Sequence, residues 1–195
     1  TEVTVGRQRI VLGNARYVGN VGFRQNEQTF DAVRVTTTAF KPLTLTYAYI
    51  DRVHRVFGDD SPVGEWRSDS HIVHAETATP AGQLSFDGQW LDFENAPGQS
   101  STTVGARLAG GRPVGSGWSV NWVLEHAHQT EYGDNPAQFD LGYGQLAAGL
   151  AHGPFTVTLA RERLDGDGVR GFQTPLATLH AFQGWADVFL TTPAR

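Results

Sequence analysis

Apolar residues recur at every second position through most of this chain, and almost nowhere at the helical spacing of three and four. In the stretch from Leu43, residues Leu43, Leu45, Tyr47 and Tyr49 share one parity while Thr44, Thr46, Ala48 and Arg52 share the other. From Gln83 the split sets Leu84, Phe86, Gly88 and Trp90 against Gln83, Ser85, Asp87 and Gln89. From Trp118 it sets Trp118, Val120, Trp122 and Leu124 against Ser119, Asn121 and Glu125, with Val123 out of phase. From Phe155 it sets Phe155, Val157 and Leu159 against Thr156, Thr158 and Ala160. Successive side chains of a strand point to opposite faces, so this pattern specifies strands with one apolar and one polar face. Weaker versions of the pattern predict further strands over 1–10, 28–38, 70–79, 101–110, 140–151 and 184–191. In the piece from Asp140 the apolar phase slips near Gly144, from Leu141 and Tyr143 to Leu146, Ala148 and Leu150, which predicts a bulge or kink.

Two-faced strands fit a soluble sandwich as well as a membrane barrel, and connection lengths discriminate between them. Turns over 40–42, 79–82 and 152–154 are short, and 110–117 is a longer Gly-rich turn. The alternate connections, over 11–26, 54–69, 131–138 and 165–183, are longer, with 95–100 a short exception. A soluble sandwich has no reason to place its longer loops at every second connection. An up-and-down membrane barrel does, with short turns on one side of the bilayer and long loops on the other. Aromatic residues near strand ends, among them Tyr47, Trp90, Trp118 and Phe155, match the girdles such barrels carry at the interfaces. The expected fold is all-β: an antiparallel up-and-down transmembrane β-barrel, here a segment of about eight or nine strands, open or gapped. It spans 1–195 without a linker or second domain. On this reading Leu45 and Tyr47, Phe86 and Trp90, and Trp118 and Trp122 share one continuous outer surface.

Composition narrows the function classes. The chain has 195 residues, a net charge of -5 and no cysteine, which excludes a disulfide scaffold and a thiolate metal site. Lys41 is the single lysine beside fourteen arginines, and no basic run exists to read nucleic acid. No window approaches roughly 18 unbroken apolar residues, so no helix spans a membrane, while membrane strands leave only alternation over about ten residues. There is no methionine, and the chain opens at Thr1-Glu2-Val3 without a basic-then-apolar leader, as expected of a piece of a longer protein.

Charges within the strands should avoid lipid, where an arginine at mid-bilayer costs about 2–4 kcal/mol. By parity Arg52, Glu76 with His74, Asp87, Arg107 and Glu125 face the lumen, which gives the wall both signs. Arg7, Arg9, Arg161 and Arg163 share parity with apolar neighbours near the loop ends of their strands. They can serve the rim, lipopolysaccharide phosphate, or a bulge into the lumen. The stretch over 6–33 holds Arg7, Arg9, Arg16 and Arg24 between Gly13, Gly19 and Gly22. It makes a candidate constriction in which Arg16 and Arg24 meet Glu27 and Asp31. The plainer reading is that those acids merely pair with the arginines to hold the loop's shape.

Motifs for catalysis are absent: no nucleophile elbow, P-loop, zinc-helix or dinucleotide fingerprint occurs. His126 and His128 sit two apart, as a metal pair on a strand would, but serve equally as polar residues at a strand end. Asp165-Gly166-Asp167-Gly168 lacks the further oxygens of a calcium loop and reads as a turn. No enzyme, metal or cofactor is expected.

The strings Gly6-Arg7-Gln8-Arg9-Ile10, Gly19-Asn20-Val21-Gly22 and Arg24-Gln25-Asn26-Glu27-Gln28-Thr29-Phe30-Asp31-Ala32 are long and peculiar. With GFQTPLATLHAFQGWADVFLTTPA over 171–194, they make the chain resemble the alginate-export family of outer-membrane porins. The resemblance implies an outer-membrane β-barrel of roughly twice this length whose terminal strands are missing here. It further implies a passive route for anionic polysaccharide (alginate-like) or other anionic solutes through an arginine-rich constriction, with outer-membrane lipid and lipopolysaccharide as surroundings. Only the arginines of the opening stretch match a family motif; Arg52 and Arg107 rest on parity, and the mixed-sign wall does not insist on a polyuronate. The alternatives are a general porin of no strong selectivity and a soluble β-barrel or sandwich binding a small ligand or glycan. An outer-membrane enzyme or a structural anchor ranks behind these.

Overall fold

A computed structural model describes residues 1–58, 60–182 and 191–194. The chain forms one nine-stranded sheet in strict sequence order: β1 (Glu2–Gln8), β2 (Thr29–Thr37), β3 (Thr44–His54), β4 (Glu65–Thr79), β5 (Gly82–Leu91), β6 (Ser101–Gly115), β7 (Trp118–Glu131), β8 (Asp140–His152) and β9 (Phe155–Leu164). Every strand pairs antiparallel with its sequence neighbours. Among the described residues β1 and β9 are the two edges, so the sheet is not closed. Turns at 80–81, 116–117 and 153–154 lie at one end, and the longer connections over 9–28, 55–64, 92–100 and 132–139 lie at the other. The Gly-rich piece read as a turn over 110–117 is strand through Gly115, with its irregularity taken up between Pro113 and Gly115. The strand expected over 184–191 lies, except for Thr191, outside the described residues.

The two faces have opposite chemistry. Register links Leu45, Ala75, Phe86, Ala106 and His126 across five strands, and Tyr47, Val73, Gly88 and Val104 in the next row. Trp122 pairs with Gly110 two rows on, and Trp90, Trp118 and Trp122 keep the same parity. The outer surface is therefore continuous, as the alternation predicts. Val3, Val5, Tyr47, Phe86, Val104, Trp118, Leu124, Leu146, Phe155, Val157 and Leu159 stand exposed on it. The opposite face carries Thr46, Ser70, His74, Ser85, Asp87, Gln89, Thr103, Glu125 and Gln129, all buried.

The buried face is covered by the protein's own loops. Ile10, Leu12, Tyr17 and Val18 from the first long connection pack with Phe172 and Leu176 from the segment after β9. Together they cover Phe30, Ile50, Val53, Ala127, Leu141 and Tyr143 on the strands. Burying each of these larger apolar side chains contributes about 1.5–3 kcal/mol. The plug also reports curvature. A side chain at Gly13 would meet His74 on β4 at 3.5 Å, while Arg16 reaches Glu162 on β9 at 3.0 Å. Five inter-strand spacings, about 24 Å in a flat sheet, separate those strands, and one segment whose backbone spans at most roughly 11 Å contacts both. The sheet curls around the loop.

No bulge marks the phase slip in β8, whose register runs unbroken against both neighbours. Leu141 and Tyr143, each 2 % exposed, face the plug, whereas Leu146, 58 % exposed, faces outward. The apolar residues change face because the strand meets packed protein inside at its loop end and an apolar surrounding outside further along. The register shifts lie instead between Asp31 and Ala32, between Ile50 and Arg52, and between Pro113 and Gly115.

Candidate pore wall and loop vestibule

The regular strands set the concave charges where parity expects them. Glu125 on β7 pairs with Arg107 on β6, Nε to Oε2 at 3.3 Å, and its side chain is 1 % exposed. His74 on β4 lies 2.8 Å from Asp87 on β5 through Nδ1 and 3.7 Å from Glu76 through Nε2. Glu76, Asp87, Arg107 and Glu125 thus share one wall, Glu125 beside Arg107 and the other two acids beside His74. Tyr17 comes down over this wall from the loop, and burial together with the negative charge of Glu125 pushes its phenol far up.

Arg52 departs from its expected position. The register shift between Ile50 and Arg52 takes it off the parity of Thr46, Ala48 and Ile50 and sets it opposite Arg67 and Asp31. There it bonds Glu65 at 3.3 Å. Simple parity counting fails at a bulge because one extra residue reverses the faces beyond it. Arg52 joins a charged cluster at the loop end of the sheet in which Arg7 makes two contacts with Asp31, at 2.9 and 3.1 Å. His54 lies 2.8 Å from the same carboxylate, and Arg9 pairs with Glu27. Arg7, Arg9, Glu27 and His54 line a cavity of about 440 Å³ there with Asn26 and Arg55. Asp31 and Glu27 therefore act as the counter-charges expected of them, but for Arg7 and Arg9.

Arg16 is the main surprise of the opening stretch. It is 1 % exposed and ion-paired with Glu162, with its guanidinium over the rings of Tyr143 at 4.7 Å and Phe182 at 4.8 Å. A guanidinium so enclosed offers no surface to a passing solute, so the expectation of Arg16 as a constriction donor is corrected. It fastens the loop to the wall. Gln28 does the same from the other end of the loop, donating to the carbonyls of Gly19 and Leu176 at 2.8 and 2.9 Å. Val18 bridges to Leu176, and Gly19 lies so close to Thr178 that any side chain there would fall 2.2 Å from its hydroxyl. The two peculiar strings of the sequence, far apart along the chain, meet in space as one plug.

Arg24 remains exposed. Its guanidinium sits 5.1 Å above Phe23, which stacks on His180 at 4.3 Å between centroids. These three line a cavity of about 590 Å³ among the long loops, with Gln28, Arg55, Phe57, Trp66, Gln99, Thr174 and Pro175. Arg55 lies 3.8 Å above the Trp66 ring and 4.8 Å from Phe57, and it donates to the carbonyl of Val63 at 2.9 Å. Burial lowers its pKa but leaves it cationic. Sequence reading missed Arg55, Trp66 and Glu162. The available signal was an arginine flanked by aromatics in a loop, at Arg55-Val56-Phe57. His126 and His128 fall on the outer parity of β7, and among the described residues no group of three His, Cys, Asp or Glu could hold a metal.

No family model matches the chain, and comparison with curated proteins finds no match. Solved structures do match. OpdL of Pseudomonas aeruginosa aligns over 93 % of this chain and 51 % of its own, with a TM-score of 0.72 and 20 % identity. OccK2 (OpdF) of the same organism, in complex with glucuronate, aligns over 85 % of this chain and 45 % of its own, with a TM-score of 0.65 and 15 % identity. OpdK with vanillate aligns over 87 % of this chain and 45 % of its own, with a TM-score of 0.66 and 18 % identity. These neighbours are outer-membrane porins. The chain spans about half the length of the structures it matches. At such identities the likeness establishes the fold, part of a porin-type β-barrel, and gives no support to the alginate-export family.

Proposed function

We propose that the chain is part of a bacterial outer-membrane β-barrel through which small anionic solutes diffuse passively. One observation carries the reading: the sheet exposes a continuous apolar surface on its convex face, while its concave face carries Thr46, Ser70, His74, Asp87, Gln89, Glu125 and Gln129 beside the apolar patch that the loops cover. A soluble sandwich or ligand-binding barrel places the apolar parity inside. Only a surrounding as apolar as lipid makes the reverse arrangement favourable. Among the described residues of the wall no side chains converge as a catalytic constellation would, and the reading is of a channel.

The solute class follows from the vestibule and the wall. The vestibule falls within the roughly 300–1,000 Å³ of small-molecule sites. Arg24 offers a planar fork that a carboxylate meets bidentately, and Arg55 adds charge in a partly dry setting. The exposed rings of Phe23 and Phe57 suit the flat or ring-shaped body of such a solute. Beyond the vestibule, Arg107 and Glu76 keep part of their side chains exposed on the wall, beside the buried His74, Asp87 and Glu125. Fixed charges of both signs replace hydration without holding the solute, which passage requires. The neighbours captured with glucuronate and vanillate carried small ring-shaped carboxylates. A single-ring carboxylate suits this channel better than a polyuronate, because Arg16 is withdrawn from the path and Arg7, Arg9 and Arg52 at the loop end are paired with acids. Anionic polysaccharide export and unselective diffusion are the competing readings.

Single-channel recording of the full-length protein in a planar bilayer separates the three. Glucuronate or vanillate at millimolar concentration is expected to interrupt the current more than oligouronate does. Equal block by oligouronate favours polysaccharide export, and a current indifferent to every anion sinks the selective reading.

A further inference from the structure

On the outer face of β7, β8 and β9 the apolar surface is interrupted. Register aligns His126 with Gly144 and Gly144 with Arg163, and the next row aligns Leu124 with Leu146 and Leu146 with Arg161. Gly144 has no side chain, and a Cβ built on it would meet nothing nearer than 3.9 Å. The row therefore holds a notch, with His126 on one side and Arg163 on the other, and Arg161 diagonal to it. Toward the short-turn end the surface is apolar again through Leu150, Val157, Leu159 and Phe155.

Arg163 is bonded to Asp165 at 2.6 Å, and His128 lies 3.5 Å from Asp140. Arg161 has no acidic partner among the described residues. Antiparallel rise and barrel tilt put Arg161 roughly 15 Å, and Arg163 roughly 20 Å, above Phe155 across the membrane. An apolar band about 25 Å tall then contains Arg161 in its loop-side half, within snorkelling reach of the headgroups. A guanidinium there is costly unless an anion meets it.

We propose that this notch binds the phosphate of a phosphorylated glycolipid of the outer leaflet, with acyl chains lying over Leu124, Leu146 and Leu159. The inference rests on the reading of the sheet as a membrane barrel. Arg161 and Arg163 present guanidinium forks to one phosphate, and Gly144 leaves the room for it between them and His126. The loop-end position selects the leaflet, since long loops of such barrels face outward.

Native mass spectrometry of the full-length protein in micelles tests this, with lipid A as probe and phosphatidylglycerol as an anionic control. Wild type is expected to retain lipid A roughly ten-fold better than R161A/R163A, as loss of charge-assisted contacts implies, with phosphatidylglycerol held weakly by both. Arg161→Lys should recover only part of the retention. Channel conductance and heat-modifiability serve as folding controls. Equal retention of lipid A by wild type and R161A/R163A, in protein that inserts and conducts, overturns the site alone. Equal retention of both lipids overturns the choice of glycolipid. A variant that loses stability without any change in lipid retention shows the arginines pairing with protein, and also overturns it. A full-length protein that stays in the aqueous phase would overturn the membrane reading itself.

Discussion

The guanidinium of Arg16, in the first long loop, lies 3.0 Å from the carboxylate of Glu162 on β9, although 146 positions separate them in the chain (162 minus 16). Arg16 is enclosed by Tyr143 and Phe182, while the Glu162 side chain keeps 30 % of its exposure. Removing one partner of such a pair strands the other. Arg16→Met is expected to destabilise the barrel by about 3 kcal/mol, the low end for a buried pair because Glu162 can still hydrate. Combining it with Glu162→Gln should recover part of that loss. Urea midpoints in micelles measure both, and an additive double variant would show that the pair is not coupled.

Gln28 ties the loop to the segment after β9 through its two carbonyl contacts. Gln28→Ala leaves the Gly19 and Leu176 oxygens without that donor in a buried site, at about 1–3 kcal/mol. Hydrogen exchange should quicken at Gly19, whose amide bonds the Leu176 carbonyl, while the β4–β7 ladder keeps its protection. Uniform quickening across the sheet would mean that the plug and the wall unfold together.

Leu124 stands 47 % exposed on the outer face between Leu108 and Leu146. Leu124→Arg is expected to cost about 2–4 kcal/mol in folding into lipid vesicles. Thr158→Arg, on the concave parity of β9, should stay within about 0.5 kcal/mol. Reversal of that order would place the lipid on the other face.

The Asp167 carboxylate accepts the amides of Val169 and Arg170, both at 2.8 Å, and these bonds hold its pKa below the ordinary aspartate value. A depressed carboxylate lends its stabilisation above the unfolded pKa of about 3.9 and loses it as pH falls through the lower folded value. Amide protection at Val169 and Arg170 should therefore persist from neutral pH down to the ordinary aspartate range and fade only below it. Asp167→Ala should remove that protection at every pH.

Phe57 stands 54 % exposed at the vestibule beside Arg55. If the vestibule selects ring-shaped carboxylates, Phe57→Leu should weaken vanillate block about three- to ten-fold and glucuronate block less, since stacking serves the aromatic ring most. Equal weakening for both solutes would reduce Phe57 to a support for Arg55.

Alternation is a local property, so the chain's residues alone determined the antiparallel strands, the apolar outer parity and the concave placement of Glu76, Asp87, Arg107 and Glu125. The spacing of long and short connections determined which strand ends carry the loops. Tertiary structure decided the rest wherever a residue's surroundings come from distant segments. Leu141 and Leu146 carry the same kind of side chain on one strand, yet one faces the plug and the other the outside, because Phe172 and Tyr17 cover only the loop end of the wall. A bulge beside Asp51 moved Arg52 off the parity of Ile50, and no count of even and odd positions detects an extra residue in a ladder. Arg16 looked like a free cation on a glycine-hinged loop. Its burial depends on Glu162, Tyr143 and Phe182, which only the curl of the sheet brings together around it.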